Sequence, residues 1–244
     1  MARVAMIMAG GHGTRMGKSG VAIPKAIVPV AGVPMIEHNF NQLLHHGFEE
    51  IILVTPAGDS PVTHFAKSVL LPKAEARSCH AWIFEEIDPL GNIGAVQILS
   101  DRQDALIVYA DNLTTLDLSA ILNNHRNSSC DMTIAIHRHP FKIPYGEVAI
   151  RDNHVVGYDE KPTIYIDVCS AISVVTADAV KTISPGEKLG LSDLVRRLLG
   201  LNLEIGFYRH EAAWIDVNDR SQLDAAELLV RQNPSSFERR DAVS

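Results

Sequence analysis

The sequence predicts an α/β fold, a three-layer mixed sheet with helices on both faces and small antiparallel additions in the second half. Three observations predict it. Short apolar runs alternate with helical stripes through the first half, the pattern left by strands joined through crossover helices. A glycine-rich stretch, Ala9-Gly10-Gly11-His12-Gly13-Thr14-Arg15-Met16, sits directly behind the first run, where a parallel sheet presents the carboxyl end of a strand to a ligand. The second half loses the alternation and reads as extended segments joined by turns.

Val4 to Met8 is a continuous apolar run and reads as a buried strand. Pro34 to His46 opens on proline and places Met35, Ile36, Phe40, Leu43 and Leu44 on a helical stripe. Glu50 to Thr55 is a short apolar strand, Val62 to Leu71 a second helix stopped by Pro72, and Ala81 to Phe84 a third strand. The turn Asp88-Pro89-Leu90-Gly91-Asn92 precedes a helix from Ile93 to Leu99, and Ala105 to Tyr109 is a fourth strand ending in Ala110-Asp111-Asn112. Met132 to His137 and Ile172 to Val175 read as strands, and Glu147 to Ile150 and Val155 to Tyr158 flank an Asp152-Asn153 turn. Leu191 to Leu199 is helical by pattern, Glu204 to Tyr208 extended, and Ser221 to Gln232 an amphipathic helix capped by its serine. Residues 1–232 are expected to form a single domain, followed by a frayed polar tail over 233–244.

With 244 residues, 46% of them hydrophobic, the chain can bury a large core. No apolar run approaches the roughly 18–20 residues of a membrane span, and Met1-Ala2-Arg3 leads into a strand instead of a signal peptide. A cytoplasmic protein that meets no membrane is expected. Cys79, Cys130 and Cys169, odd in number and far apart, suit reduced thiols better than a disulfide framework. A formal net charge of −7 excludes a general nucleic-acid binder, so the cations for any phosphate ligand must be placed locally.

Glycine permits positive φ and lets backbone N–H groups approach a ligand, so the Ala9–Met16 loop can cradle an anion, with Arg15 and Lys25 adding charge. Two better-known phosphate motifs each miss by one residue. The pattern G-x-G-x-x-G from Gly11 meets Met16 where its third glycine belongs, and G-x-x-x-x-G-K-S finds Gly17-Lys18-Ser19 but has His12 in place of its first glycine. In isolation the stretch is equally well explained as a glycine-rich turn.

Joined to Pro24-Lys25, ten residues past Arg15, the loop resembles the signature of the sugar-1-phosphate nucleotidyltransferases, in their short single-domain form. In chain order, Pro29-Val30-Ala31-Gly32-Val33-Pro34-Met35-Ile36, Pro89-Leu90-Gly91-Asn92-Ile93-Gly94, Asp111, Tyr145-Gly146, Glu160-Lys161-Pro162 and Trp214-Ile215-Asp216-Val217 are each similar to a motif of that family. The likeness covers Arg3 to about Leu229. It implies a Rossmann-like domain that transfers a nucleotidyl group from a nucleoside triphosphate to a sugar-1-phosphate and releases pyrophosphate. It implies Arg15, Lys25 and Lys161 as the catalytic cations, and Ala9, Gly10, Gly11, Gly13, Thr14, Glu86 and Gly91 as nucleotide contacts. Tyr145, Gly146, Glu160, Lys161 and Ser170 are implied as sugar-phosphate contacts, and Asp111 and Asp216 as ligands of a magnesium ion. The partners implied are the two substrates, and a homo-oligomer is compatible with them.

The chemistry is consistent with these residue types. The nucleophile is a phosphate with a second pKa of about 6, so it is largely ionised near neutral pH and needs no general base. The transition state needs in-line positioning and neutralisation of crowded oxygens instead. That suits a chain with 11 histidines but no histidine and serine constellation. Two separated aspartates suffice for magnesium, which keeps several waters and takes phosphate oxygens.

Each residue also has a plainer explanation. Alone, Asp111 fits a strand-end cap better than a ligand, and Glu160-Lys161 fits a solvated charge pair. Asp216 is harder to dismiss, because an acid inside an apolar strand is expensive to bury without a partner. His137 and His139, two apart with no nearby cysteine, fit surface histidines. The position five before Gly91 reads the base edge by resemblance; here it is Glu86. A carboxylate accepts two hydrogen bonds, which matches guanine's adjacent N1–H and N2–H, although Glu85 stands next to it.

Three departures from the family pattern unsettle specificity. Cys169-Ser170-Ala171-Ile172-Ser173 stands where an Asn-Ala-Gly-Ile-Tyr segment contacts the sugar, Asn218-Asp219 follows Val217 in place of Gly-Thr, and Gly17-Lys18-Ser19-Gly20 replaces a Leu-x-Pro-Leu-Thr run. Other readings remain open: transfer with UTP, dTTP or CTP, a catalytically silent nucleotide-sugar-binding regulator on the same fold, or a kinase-like enzyme using Gly17-Lys18-Ser19.

Overall fold

The structure, a computed structural model, describes residues 2–11, 23–101 and 104–237. The first strand, β1 (Val4–Met8), is apolar at every position because both of its faces are covered. Ala5 and Ile7 face one core, and Val4, Met6 and Met8 face the other. A 3-10 turn at Lys25–Ile27 leads to two short antiparallel strands, β2 (Pro29–Val30) and β3 (Val33–Pro34), and then to α1 (Met35–His45). Next come β4 (Glu50–Pro56), α2 (Pro61–Phe65), α3 (Leu71–Glu75) and β5 (His80–Glu86). A 3-10 segment at Gly94–Leu99 precedes β6 (Ala105–Tyr109), β7 (Asn112–Thr114) and α4 (Leu118–Arg126).

The second half supplies β8 (Met132–Lys142), β9 (Glu147–Arg151), β10 (His154–Asp159) and β11 (Thr163–Val175). It closes with α5 (Ala177–Lys181), α6 (Leu191–Gly200), β12 (Ile205–Arg209), β13 (Trp214–Asp216), α7 (Arg220–Gln232) and α8 (Pro234–Phe237). Seven strands form one mixed sheet in the order β12-β8-β11-β6-β1-β4-β5. β11 runs antiparallel to both neighbours, and every other pair in the sheet is parallel. One core cluster draws on α1, α2, α3 and α4, the opposite one on the 3-10 segment, α5 and α6, and a third joins β2 and β13 to α7 and α8. The three-layer mixed α/β architecture expected from the sequence is therefore present. No helix among the described residues is long and apolar enough to cross a membrane.

Several local expectations are corrected. The second helix does not stop at Pro72: a π-helical stretch at Ala66–Leu70 is followed by α3, whose first turn holds the proline. Helical backbone runs unbroken from Pro61 to Glu75, and the π-helical stretch just before the proline is where the helix departs from the i→i−4 pairing that proline cannot join. The helix expected over Ile93–Leu99 is the 3-10 segment, one residue shorter. β8 runs past His137 to Lys142, and β11 starts at Thr163 instead of Ile172, because the two pair with each other far beyond the sheet's covered area. In that arm most residues are exposed, so no buried face imposes a period on the sequence. The cap of α7 is Asp219, not Ser221: its carboxylate accepts from the Gln222 N–H, and the Gln222 side chain accepts in return from the Asp219 N–H. Of the tail expected over 233–244, residues 238–244 lie outside the described residues and Pro234–Phe237 form α8. Phe237, 5% exposed, is buried beside α7 and meets the His38 ring edge-on at 5.5 Å.

The corrected cap gives a discriminating pair of substitutions. Asp219→Ala should cost about 1 kcal/mol, a drop of roughly 2–4 °C in melting temperature for a chain of this size. Ser221→Ala should leave the melt unchanged. Equal effects from the two would contradict the assignment.

Candidate active site

At the carboxyl ends of its parallel strands the sheet has a point where chain order reverses. β1 is flanked by β4, which follows it, on one side and by the much later β6 on the other. Loops leaving neighbouring strands in opposite directions open a crevice there, the usual ligand position in open α/β sheets. A cleft of about 330 Å³ occupies it, lined by residues that include Ala9, Gly10, Gly11, Lys25, Glu86, Gly91, Tyr109 and Asp111. The sequence thus placed its glycine loop at the correct end of the correct strand. Gly13, Thr14 and Arg15 lie outside the described residues, as does the Gly17-Lys18-Ser19 run.

At the β5 end of the cleft stands Glu86, 6% exposed. Strand alternation separates it from Glu85, which pairs with Lys67 at 2.6 Å; of the two glutamates, Glu86 lines the cleft. The backbone N–H of Leu90 approaches Glu86 Oε1 at 3.4 Å. Glu86 Oε2 lies against Gly10 so closely that a Cβ on Gly10 would sit 1.8 Å from it. Gly91 is constrained on two counts: its φ is +81°, and a Cβ there would meet the Leu189 carbonyl oxygen at 2.3 Å.

At the other end, Lys25, Asp111, Asp216 and Asn218 form one chain of contacts. Lys25 Nζ donates to Asp111 Oδ2 at 3.3 Å and to Asn218 Oδ1 at 2.6 Å, and Asn218 Nδ2 donates to Asp216 Oδ2 at 2.6 Å. Backbone pairing brings the two aspartates together across more than a hundred residues. β13 pairs antiparallel with β7, setting Asp216 opposite Asn112, and the Val217 N–H donates to the Asp111 carbonyl at 3.0 Å. Polar side chains of α1 grip the same segment: Asn39 Nδ2 donates to the Ala110 carbonyl at 3.3 Å and Gln42 Nε2 to the Thr114 carbonyl at 2.5 Å. Burial pushes the Asp216 carboxyl above the usual carboxylate range, the Asn218 amide pulls it back, and the charge of Asp111 raises it further.

The remaining implied residues fall elsewhere. Tyr145, Gly146, Glu160 and Lys161 gather at the base of the β9–β10 hairpin, outside the cleft lining. Tyr158 donates to Glu160 at 2.7 Å, and a Cβ on Gly146 would collide with the same phenol oxygen at 2.1 Å. Lys161 adopts a positive φ of 49° and its ammonium lies 3.9 Å from Glu160, with 57% of its side chain exposed. Ser170 is fully buried at 0% exposure: its hydroxyl joins His137 Nδ1 at 2.9 Å to His210 Nε2 at 2.8 Å. It does not line the cleft described above. His137, half-buried, is a partner of Ser170 and its ring lies 4.9 Å from that of Trp214, while His139 is exposed.

The nucleotidyl transferase family profile matches residues 4–223. The chain belongs to that family. A protein of Sulfolobus acidocaldarius provisionally named a mannose-1-phosphate guanyltransferase is 26% identical over 240 residues, covering 96% of this chain and 65% of the relative. The human mannose-1-phosphate guanylyltransferase regulatory subunit alpha is 30% identical over 185 residues, 66% of this chain and 41% of the relative. The chain thus spans less than two thirds of the length of these curated relatives. Among solved structures, the inositol-1-phosphate CTP transferase from T. maritima superposes with a TM-score of 0.69 at 15% identity, over 99% of this chain and 98% of that one.

Within this nucleotidyl transferase domain, sequence reasoning missed Asn218 and Tyr109. Asn218 was noted only as a departure from the family pattern, yet it links Lys25 to Asp216. Its position two residues after Asp216, the same-face spacing of an extended chain, was the available signal. Tyr109 was read as a strand terminus, although it lines the cleft.

Two outcomes follow for the protein without substrate. The folded-state pKa of Asp216 is raised, so the folded protein holds that proton more tightly than the unfolded chain does. The carboxylate charge therefore opposes folding at neutral pH, and the opposition fades as pH falls through the folded-state pKa toward the ordinary value. Asp216→Asn should melt higher than wild type at pH 7, by about 2–4 °C for each kcal/mol relieved, with a smaller gap at pH 4. An equal or lower melting temperature at pH 7 would show that Lys25 and Asn218 already satisfy the charge. Separately, Gly10→Ala should displace Glu86 and weaken nucleotide binding at least tenfold by calorimetry; unchanged affinity would remove that contact from the nucleotide site.

Proposed function

We propose that the protein transfers a nucleotidyl group from a nucleoside triphosphate to a sugar-1-phosphate, releasing pyrophosphate, with guanine as the preferred base. The observation that carries the reading is the Lys25–Asp111–Asn218–Asp216 chain, whose Lys25 and Asp111 line the same cleft as Gly10, Gly11 and Glu86. It joins cationic and anionic groups for a triphosphate to a base-reading carboxylate inside one crevice. Names of relatives in the same family support the class of reaction: guanylyl transfer to mannose-1-phosphate and uridylyl transfer to glucose-1-phosphate both occur among them.

The chain's own residues have defined parts. The backbone N–H groups of Gly10 and Gly11 can approach phosphate oxygens closely, because neither residue has a side chain to hold them off. Lys25 exchanges its partner Asp111 for the triphosphate and neutralises charge that grows on the oxygens around the α-phosphorus. Arg15 and Lys161, assigned by resemblance, add charge on the triphosphate and the incoming sugar phosphate respectively. The sugar phosphate oxygen forms the new bond to the α-phosphorus as the bond to the leaving pyrophosphate breaks, and no proton has to be removed first.

The residues present fit a magnesium ion. Asp216 carries a carboxyl pushed up by burial and by Asp111, the condition a divalent cation relieves. Among the described residues no group of three or more histidine, cysteine or acidic side chains could hold a metal alone. Asp111 and Asp216 would hold the ion together with water and phosphate oxygens. Once bound, magnesium would supply positive charge to the phosphate oxygens. The three cysteines are all free thiols, which supports a reducing, cytoplasmic setting.

A second reading, a nucleotide-sugar-binding regulator, is favoured by Ser170, whose hydroxyl is already engaged, and by the match to a regulatory subunit. A product assay separates the two. Nucleoside triphosphates set against a panel of sugar-1-phosphates, with and without magnesium, should yield pyrophosphate from at least one pair and only with the metal. Asp111→Asn should lower that rate by several orders of magnitude without unfolding the chain. Binding of a nucleotide sugar with no pyrophosphate from any pair would establish the regulator, and nucleoside diphosphate as product would mark a kinase. For the base, Glu86→Gln should lower kcat/KM for GTP by about 10- to 100-fold, the range for losing a paired edge contact, and improve UTP or dTTP relative to it. Unaltered base preference would remove Glu86 from base reading.

A further inference from the structure

Asn218 stands where the family pattern has glycine, and its one amide touches charges of both signs. Its Oδ1 accepts from Lys25 Nζ at 2.6 Å, a shorter contact than the 3.3 Å from the same ammonium to Asp111. Its Nδ2 donates to Asp216 Oδ2 at 2.6 Å. The partners fix which way the amide faces. An ammonium only donates and a carboxylate only accepts, so the flipped amide would set N–H against ammonium and carbonyl against carboxylate. An aspartate here would keep the first contact and lose the second, and a glycine makes neither.

The backbone beneath this side chain is held from both sides. Val217, fully buried, donates its N–H to the Asp111 carbonyl at 3.0 Å, and the Asn218 N–H donates to Gln222 Oε1 at 2.6 Å. The same oxygen accepts from the Asp219 N–H at 3.1 Å, so Asn218 is fastened to the capped first turn of α7. Lys25 reaches the amide on a flexible four-carbon stem, and such an ammonium loses rotamer freedom when it is confined at a phosphate. A contact that confines it beforehand removes part of that cost from binding.

The two contacts serve different parts of the site. An ammonium has three donors, so Lys25 can leave Asp111 for the triphosphate while it stays bonded to Asn218. On the other side, a carboxylate that ligates a metal is oriented by its outer hydrogen bonds, and losing one costs about 10- to 100-fold in metal affinity. With Oδ2 engaged by the amide, the plane of the Asp216 carboxylate is set before a cation arrives.

We infer that Asn218 is a positioning residue acting on both charges at once, tethering Lys25 for the triphosphate and orienting Asp216 for the divalent cation, an inference that rests on the nucleotidyl-transfer reading. The test is GTP affinity by calorimetry, once in EDTA and once in excess manganese, for wild type, Asn218→Ala, Lys25→Met and the double variant. In EDTA, Asn218→Ala should weaken GTP binding by at least about fivefold when Lys25 is present and not at all in the Lys25→Met background. In manganese, the gain in affinity that the metal confers should fall by at least about tenfold in both backgrounds. The Asn218 side chain is exposed, so Asn218→Ala should melt within about 4 °C of wild type. If it melts lower, Asn218→Gly takes its place in the same cycle. An equal loss in both EDTA backgrounds would mark a structural role. An unchanged GTP affinity in EDTA would break the link to Lys25, and an unchanged manganese gain the link to Asp216. Each of these three results would overturn the inference. Wild-type protein that binds GTP but releases no pyrophosphate with any sugar-1-phosphate would refute transfer alone, and the same comparisons would still decide Asn218.

Discussion

The site depends on holding two carboxylates side by side at the ends of strands that are remote in sequence. Asp111 and Asp216 are brought together by the β7–β13 pairing and the Val217-to-Asp111 backbone hydrogen bond. Burial of Asp216, and after it the like charge of Asp111, resist folding, and the raised pKa of Asp216 records that resistance. Lys25 and Asn218 offset it in the protein without ligand. The rest of the local structure serves that arrangement. α1 buries His38, Asn39 and Gln42, polar residues that a helix packed only for core would not carry, and hydrogen-bonds them to the backbone of Val30, Ala110 and Thr114. Their loss would loosen the backbone that positions the acids before it affected the hydrophobic layers.

The sheet lays out the cleft in strand order. Glu86 stands at the end of β5, Gly10 and Gly11 past the end of β1, and Tyr109 and Asp111 at and just past the end of β6. A long ligand can therefore be read one portion per strand. The exposed arm, built from the ends of β8 and β11 with the β9–β10 hairpin, carries the residues assigned to the sugar phosphate, apart from Ser170, away from the cleft lining.

Legibility in the sequence followed burial. β1, β4 and β6 are covered on both faces, so their apolar runs announced them, and the glycine loop could be placed from β1 alone. The arm was under-read because strands with no buried face leave no periodic trace, which is why β8 and β11 were drawn short. Pro72 misled because the helix carries it past a π-helical stretch instead of ending there, and sequence does not distinguish the two. Asp111 and Asp216 were legible through resemblance, but Asn218 was not, since its role exists only once Lys25 and Asp216 are neighbours in space. Ser170 shows what resemblance leaves out. A residue aligned with a sugar contact is folded inward between two histidines, and no single-sequence pattern predicts that partnership.

The most direct measurement is a crystal structure of the protein with a non-hydrolysable guanosine triphosphate analogue and manganese, read by anomalous diffraction. The proposed site predicts one manganese peak touching both Asp111 and Asp216, the triphosphate on Gly10 and Gly11, and Lys25 turned from Asp111 to phosphate. A peak elsewhere, or nucleotide bound with the Lys25–Asp111 pair intact and no metal on the two acids, would contradict it.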